Sequence, residues 1–274
     1  MISLNEFASR IDPEKTVVLL GAGASIPSGA HSAVALTKTL AAKLGKSSTD
    51  LSLAEVCSIF EKSRGRKELA QAVAEEFQDL NPTGGLLLLP RFNWARLYGT
   101  NYDQLVEKAY RSHKRDIAVL NSNADFSKAD APGVVQYFKL HGDIQVDIGF
   151  GQQARMLLTE RDYDEYAEFR EAGFKTLEAD MTSKDILIIG QSLADVHLRQ
   201  LVNRVAKLHA TKSLPGNIFL LTYKSDPDRA SLFEDRGIIV SSGGINELMQ
   251  GLIDVSPPNE EEKTEESGHT LPHA

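Results

Sequence analysis

The chain has one cysteine, Cys57, among 274 residues. No intramolecular disulfide framework and no paired-cysteine zinc site can therefore form. No apolar run approaches the roughly 18 residues that a membrane-spanning helix needs. The opening residues, MISLNEFASRIDPEK, lack an apolar core of signal-peptide length. Positive charge is in deficit: 30 Lys+Arg against 38 Asp+Glu leave a formal net charge of -8. That balance argues against a dedicated nucleic-acid binder, so nucleic acid is expected only through a partner. No internal repeat is present, and no His/Asp/Glu cluster has metal-ligand spacing, so no metal site is expected. What remains is an ordinary globular composition, 42% hydrophobic and 25% charged. A cytoplasmic protein without a membrane partner is expected.

The charge is unevenly distributed. Residues 256–274, SPPNEEEKTEESGHTLPHA, hold five Glu and one Lys, and so supply -4 of the -8. With almost no apolar content they cannot offset the entropy of ordering. Residues 255–274 are expected to form a disordered acidic tail, and 1–254 a single folded domain.

Short β-branched and Leu-rich runs recur at 16–20, 95–98, 116–120, 134–140, 156–158, 185–189, 217–221 and 237–240. Several are apolar on both faces, as buried parallel strands are. Helical patterns lie between many of them. Residues 32–44 place Val34, Leu36, Leu40 and Leu44 on one side; 103–111, 161–181 and 194–208 also read as helices. This predicts an α/β fold, a doubly wound, mainly parallel, Rossmann-like sheet. Residues 46–94 break the rhythm with two helical patterns, 52–62 and 67–79, and read as a helical insertion able to cover the sheet edge or to form a lid. Phe7, Phe60, Phe77 and Trp94 are assigned to the core. Arg161, Asp162, Asp164 and Glu165 read as a solvated helix face, with Tyr163, Tyr166 and Phe169 packing its other side. His113, His197 and His209 read as surface or helix-end residues.

Four clusters follow predicted strands. The first is Gly21-Ala22-Gly23-Ala24-Ser25, whose glycines permit close backbone approach to a phosphate ahead of a helix N-terminus. It is neither G-x-G-x-x-G, since position 26 is Ile, nor a P-loop. The second is Gly99-Thr100-Asn101-Tyr102-Asp103, which also fits helix capping by Thr100 or Asn101. The third is Lys139-Leu140-His141-Gly142-Asp143, and the fourth Gly190-Gln191-Ser192-Leu193-Ala194-Asp195. Each alone is compatible with turn chemistry. Together they lie on one sheet edge, the C-terminal edge where open α/β sheets bind ligands. A nucleotide-type ligand is expected there.

In this order, the clusters resemble the sirtuin fold over about residues 14–245. Gly21-Ala22-Gly23-Ala24-Ser25 resembles the sirtuin NAD-binding loop. Thr100-Asn101-Tyr102-Asp103 resembles the segment near the nicotinamide ribose. Leu140-His141-Gly142 resembles the catalytic His-Gly, and Gly190-Gln191-Ser192 the later Gly-x-Ser of the NAD site. Sirtuin deacylases carry two zinc-binding cysteine pairs after the His motif, whereas residues 143–185 here contain no cysteine. The Phe-Arg of the deacylase cofactor loop is also missing after Ser25. The pattern is similar instead to the sirtuin-like NAD-hydrolase (NADase) effector domains of bacterial antiphage defence systems.

That resemblance implies NAD+ as substrate, cleavage to nicotinamide and ADP-ribose, and no zinc. It implies Asn101, His141 and Asp103 as catalytic residues. Asn101 would hold water or the ribose, His141 would be general base, and Asp103 would bind the nicotinamide amide or orient its loop. Gly21, Ala22, Gly23, Ser25, Thr100, Gly190 and Ser192 would bind the rest of NAD. A homo-oligomer and a sensor or activating protein subunit are expected partners. Two alternatives stay open: an NAD-dependent protein deacylase or ADP-ribosyl transferase, and a non-catalytic NAD or ADP-ribose binding module.

Overall fold

The computed structural model describes every residue except 48–49, 129–132, 151–154, 192, 194–195, 213–214 and 256–274. The chain begins with α1 (Leu4–Ser9) and β1 (Thr16–Leu20), then makes the single turn α2 (Ala22–Ser25). Four helices come next, α3 (Ala33–Lys43), α4 (Leu53–Arg64), α5 (Arg66–Glu75) and α6 (Gly84–Leu88). The first half of the sheet and its neighbours are β2 (Arg96–Gly99), α7 (Leu105–Ser112), β3 (Ile117–Leu120) and β4 (Val135–Lys139). Three helices, α8 (Ile144–Phe150), α9 (Glu160–Asp164) and α10 (Tyr166–Met181), lead to β5 (Asp185–Ile189). The chain continues with α11 (Val196–Lys212), β6 (Ile218–Thr222), α12 (Pro227–Glu234), β7 (Ile239–Ser242) and α13 (Ile245–Val255).

The strands form one seven-stranded parallel sheet in the order β3-β4-β2-β1-β5-β6-β7. β1 is its centre, and every residue of TVVLL is fully buried. Alternate side chains serve opposite layers, as the pleat requires. Val18 and Leu20 join Phe7, Leu86, Leu248 and Leu252, from α1, α6 and α13. Val17 and Leu19 join Leu177, Leu198 and Val202, from α10 and α11. From β1 the chain builds outward through β2, then crosses back to place β5 on the other side of β1. The crevice outside the carboxyl ends of strands at such a reversal is where doubly wound sheets bind ligands.

A third core belongs to the helices after β1. Leu36, Leu40, Phe60, Leu69 and Val73 of α3, α4 and α5 pack with Tyr102, Ile144, Met156 and Leu158. α4 starts where its sequence directs, in a capping box: Glu55 N–H donates to Ser52 Oγ, and Ser52 N–H donates to Glu55.

Several expectations are corrected. Residues 156–158 are buried but are not a strand, because their backbone groups pair with side chains and a turn rather than with the sheet. Val34 is 66% exposed; α3 buries Leu36, Thr37, Leu40 and Ala41 instead. The helix expected over 161–181 is broken at Glu165 into α9 and α10. Asp162 is not on a solvated face but 2% exposed, because Arg66 and Arg155 reach it. Phe7, Phe60 and Trp94 are core residues, while Phe77 is partly buried. The predicted acidic tail lies outside the described residues, except for its first residue, Val255.

Candidate functional site

At the β1 and β5 ends the backbone packs on itself. Gly21 N–H donates to Ile189 C=O and Gly23 N–H to Gly190 C=O, each at 2.9 Å. Gly190 has φ +69°, and a Cβ there would lie 2.2 Å from Ala24 N. A Cβ on Gly23 would lie 2.7 Å from Gly190 Cα. The glycines are thus required by contact between two turns, before any ligand is considered. Gln191 adds a side-chain tie, donating to Thr100 Oγ1 at 2.7 Å and to Leu20 C=O at 3.3 Å.

Asn101 enters from β2. Neither Thr100 nor Asn101 caps the following helix; Asp103 Oδ1 accepts Leu105 N–H at 3.0 Å instead. Asn101 is 7% exposed. Its amide nitrogen donates to Gly21 C=O at 3.1 Å and to Ser25 Oγ at 2.9 Å. Its Oδ1 is buried with no hydrogen-bond partner among the described residues. A buried amide oxygen left so suits a ligand hydroxyl or a water.

His141 arrives from β4, which pairs with β2. Asn101 and His141 each lie two residues past the register pair Gly99↔Lys139, so strand pairing sets them side by side. Gly142 follows at φ +87°, and a Cβ there would meet Arg170 Nη2 at 2.4 Å. His141 is 6% exposed and lies among rings. Tyr102 is 6.4 Å away between centroids, and Tyr163 packs edge-on at 5.7 Å. Tyr163 in turn stacks on His197 at 6.4 Å, with Tyr166 against His197 at 4.7 Å.

Beneath these loops lies Lys139, fully buried. Its ammonium donates to Asp103 C=O, to Glu107 at 3.0 Å and to Asp143, cross-linking the Asn101 loop to the His141 turn. Burial alone would lower its pKa, but Glu107 and Asp143 outweigh that and raise it, keeping the charge. Burial pushes Glu107 upward. Burial also holds the Tyr102 phenol well above its usual value, so it stays a donor, to Leu157 C=O at 2.7 Å. Cys57 is pushed up to about 12 by burial, which excludes it as a thiolate nucleophile.

The structure therefore brings together Gly21, Ala22, Gly23, Ser25, Thr100, Asn101, Asp103, His141 and Gly190 on one edge; Ser192 lies outside the described residues. Sequence reasoning missed the Lys139 cross-link, Gln191, and the pairing of Tyr163 with His197. Lys139 had a signal, a lysine ending a buried strand; the aromatic pair had none, since its members come from α9 and α11. Among the described residues no three His, Cys, Asp or Glu groups could hold a metal, and no helix is long and apolar enough to cross a membrane.

Comparison with known proteins fits this geometry. Residues 95–241 match the SIR2-like domain family. The NAD(+) hydrolase ThsA of Bacillus cereus (strain MSX-D12) is 27% identical over 210 residues, covering 74% of this chain and 42% of that protein. The one from Cytobacillus dafuensis is 28% identical over 215 residues, 76% of this chain and 41% of its own length. The chain thus spans about two-fifths of the length of these relatives. A solved structure from work on the structural basis of sirtuin substrate affinity aligns over 92% of this chain and 98% of its own, with TM-score 0.54 and 14% identity. That likeness establishes a shared fold.

Proposed function

The chain belongs to the SIR2-like domain family, and from that membership we propose that it is an NAD+ glycohydrolase producing nicotinamide and ADP-ribose. The observation that carries the reading is the unpartnered Asn101 Oδ1, buried one strand away from His141. The names of the ThsA relatives support the same substrate.

Nicotinamide leaves with the electron pair of the C1′–N bond and departs neutral, while the ribose becomes oxocarbenium-like. Water then supplies hydroxyl to C1′ and releases one proton. Asn101 Oδ1 accepts from that water or from a ribose hydroxyl. His141 takes the proton as general base. Asp103, fixed by Leu105 N–H and by the Lys139 hold on its carbonyl, orients the loop beneath the nicotinamide. We assign Gly21, Ala22, Gly23, Ser25, Thr100 and Gly190 to the pyrophosphate and ribose.

Unrestrained turnover would exhaust cellular NAD. We therefore place this chain in an antiphage effector whose cleavage is gated by self-assembly or by a sensor protein. The test is nicotinamide release from NAD without any acyl peptide. Once assembled or triggered, the wild type is expected to turn over, and His141→Ala to lose about 10²–10⁴-fold while still binding NAD. Turnover requiring an acyl-lysine peptide would favour a deacylase, and an active His141→Ala would remove the assigned base.

A further inference from the structure

The stretch 156–159 is nearly inaccessible, yet it has no strand partner. All four of its N–H groups are nevertheless bonded. Met156 N–H donates to Asp147 at 2.6 Å, and Leu157 N–H to His141 C=O at 2.9 Å. Leu158 and Thr159 N–H both donate to Asp162, at 3.2 and 2.8 Å. Two of its carbonyls are held by side chains: Met156 C=O accepts from Arg66 at 2.9 Å and Leu157 C=O from Tyr102 OH at 2.7 Å. This strap therefore grips the backbone of His141 and the side chain next to Asn101.

Arg66, the first residue of α5, holds the strap from the far side. Its guanidinium pairs with Asp147, and with Asp162 at 2.8 Å, besides taking the Met156 carbonyl. Arg155 reinforces Asp162 at 2.8 Å and reaches Glu61 of α4 at 3.1 Å. One guanidinium thus fixes both carboxylates that fix the strap, a task for a planar fork rather than for a point charge.

We propose that Arg66 is a positioning residue. Through Asp147, Asp162 and the strap, the α4–α5 helices set the placement of His141 and Tyr102. The kinetic part of the test rests on the NAD-hydrolase reading; the spectroscopic part does not.

Arg66→Lys keeps the charge and removes the fork, and Tyr102→Phe deletes one bond to the strap. Each is assayed for kcat and KM with NAD well below its Tm, and the imidazole resonances of His141 are followed by NMR. Arg66→Lys is expected to lose about tenfold or more in kcat, the scale of a sub-ångström misplacement, with KM within about threefold and the His141 resonances shifted or broadened. Tyr102→Phe should lose less, and the double variant little more than Arg66→Lys alone, because both act through one strap. A folded Arg66→Lys with wild-type kcat and unmoved His141 resonances overturns the proposal, even if its Tm has dropped. Should Arg66→Lys fail to fold, Tyr102→Phe decides: reduced kcat or moved resonances support the proposal, and neither overturns it. A wild type inactive on NAD, as a gated effector without its trigger would be, leaves the kinetic arm silent, and the His141 resonances of the two variants then decide the role of Arg66.

Discussion

The two walls of the crevice are built on opposite physics. On the β1/β5 side, backbone meets backbone at Gly21, Gly23 and Gly190, with no charge involved. On the side of α4 and α5, a largely buried cluster of Arg66, Arg155, Asp147 and Asp162 ties together segments that share no strand pairing. The glycine wall tolerates no added atom but is insensitive to pH and salt. The ionic wall depends on charge balance and on the geometry of its forks, since a buried ion without its partner is costly.

The sharpest way to break this contrast is at the glycine wall. Gly190→Val combines a left-handed backbone position with a backbone clash, and should cost on the order of 4 kcal/mol. Denaturant unfolding measures it; a variant as stable as wild type would show that the two turns can separate freely. Next comes the core under the ionic wall. Leu69→Ala empties a fully buried site shared with Tyr102 and Met156, and should cost about 2–5 kcal/mol. If α3–α5 folded independently of the sheet, calorimetry would show two transitions instead of a single one moved downward.

Asp162→Asn tests charge itself. Burial would raise the pKa of Asp162, but Arg66 and the Thr159 N–H outweigh it and hold the carboxyl below its usual value. Its stabilisation is therefore complete above the unfolded value, about 3.9, and is lost as pH falls through the lower folded value. At neutral pH the variant should lose about 1–3 kcal/mol. The gap to wild type should close on acidification, and a gap independent of pH would contradict the ionic account. The smallest effect belongs to Arg161→Ala. This residue lies next to Asp162 but pairs with Glu165 at the surface, with 76% of its side chain exposed. No measurable change in Tm or kcat is expected.

Legibility followed the same division. The glycine loops, Asn101 and His141 all sit within a few residues of a strand end, so local patterning was enough to find them. The strap looked like a strand because Met156, Leu157 and Leu158 are apolar and buried, and nothing local reveals that its partners are carboxylates. Asp162 looked solvated because its flanking residues are charged, and two of those, Arg161 and Glu165, do face water.

The sequence by itself determined the parallel α/β sheet and the polar edge of the site. Strands apolar on both faces must be covered on both faces, and glycine or histidine just past a strand end marks where the chain turns at the ligand edge. Only the tertiary structure decided what holds that edge in place. Arg66 meets its carboxylates across 81 and 96 residues of chain, and Tyr163 meets His197 from a different helix. Pairings over such separations are set by which helices pack against the crevice, and no local periodicity encodes them.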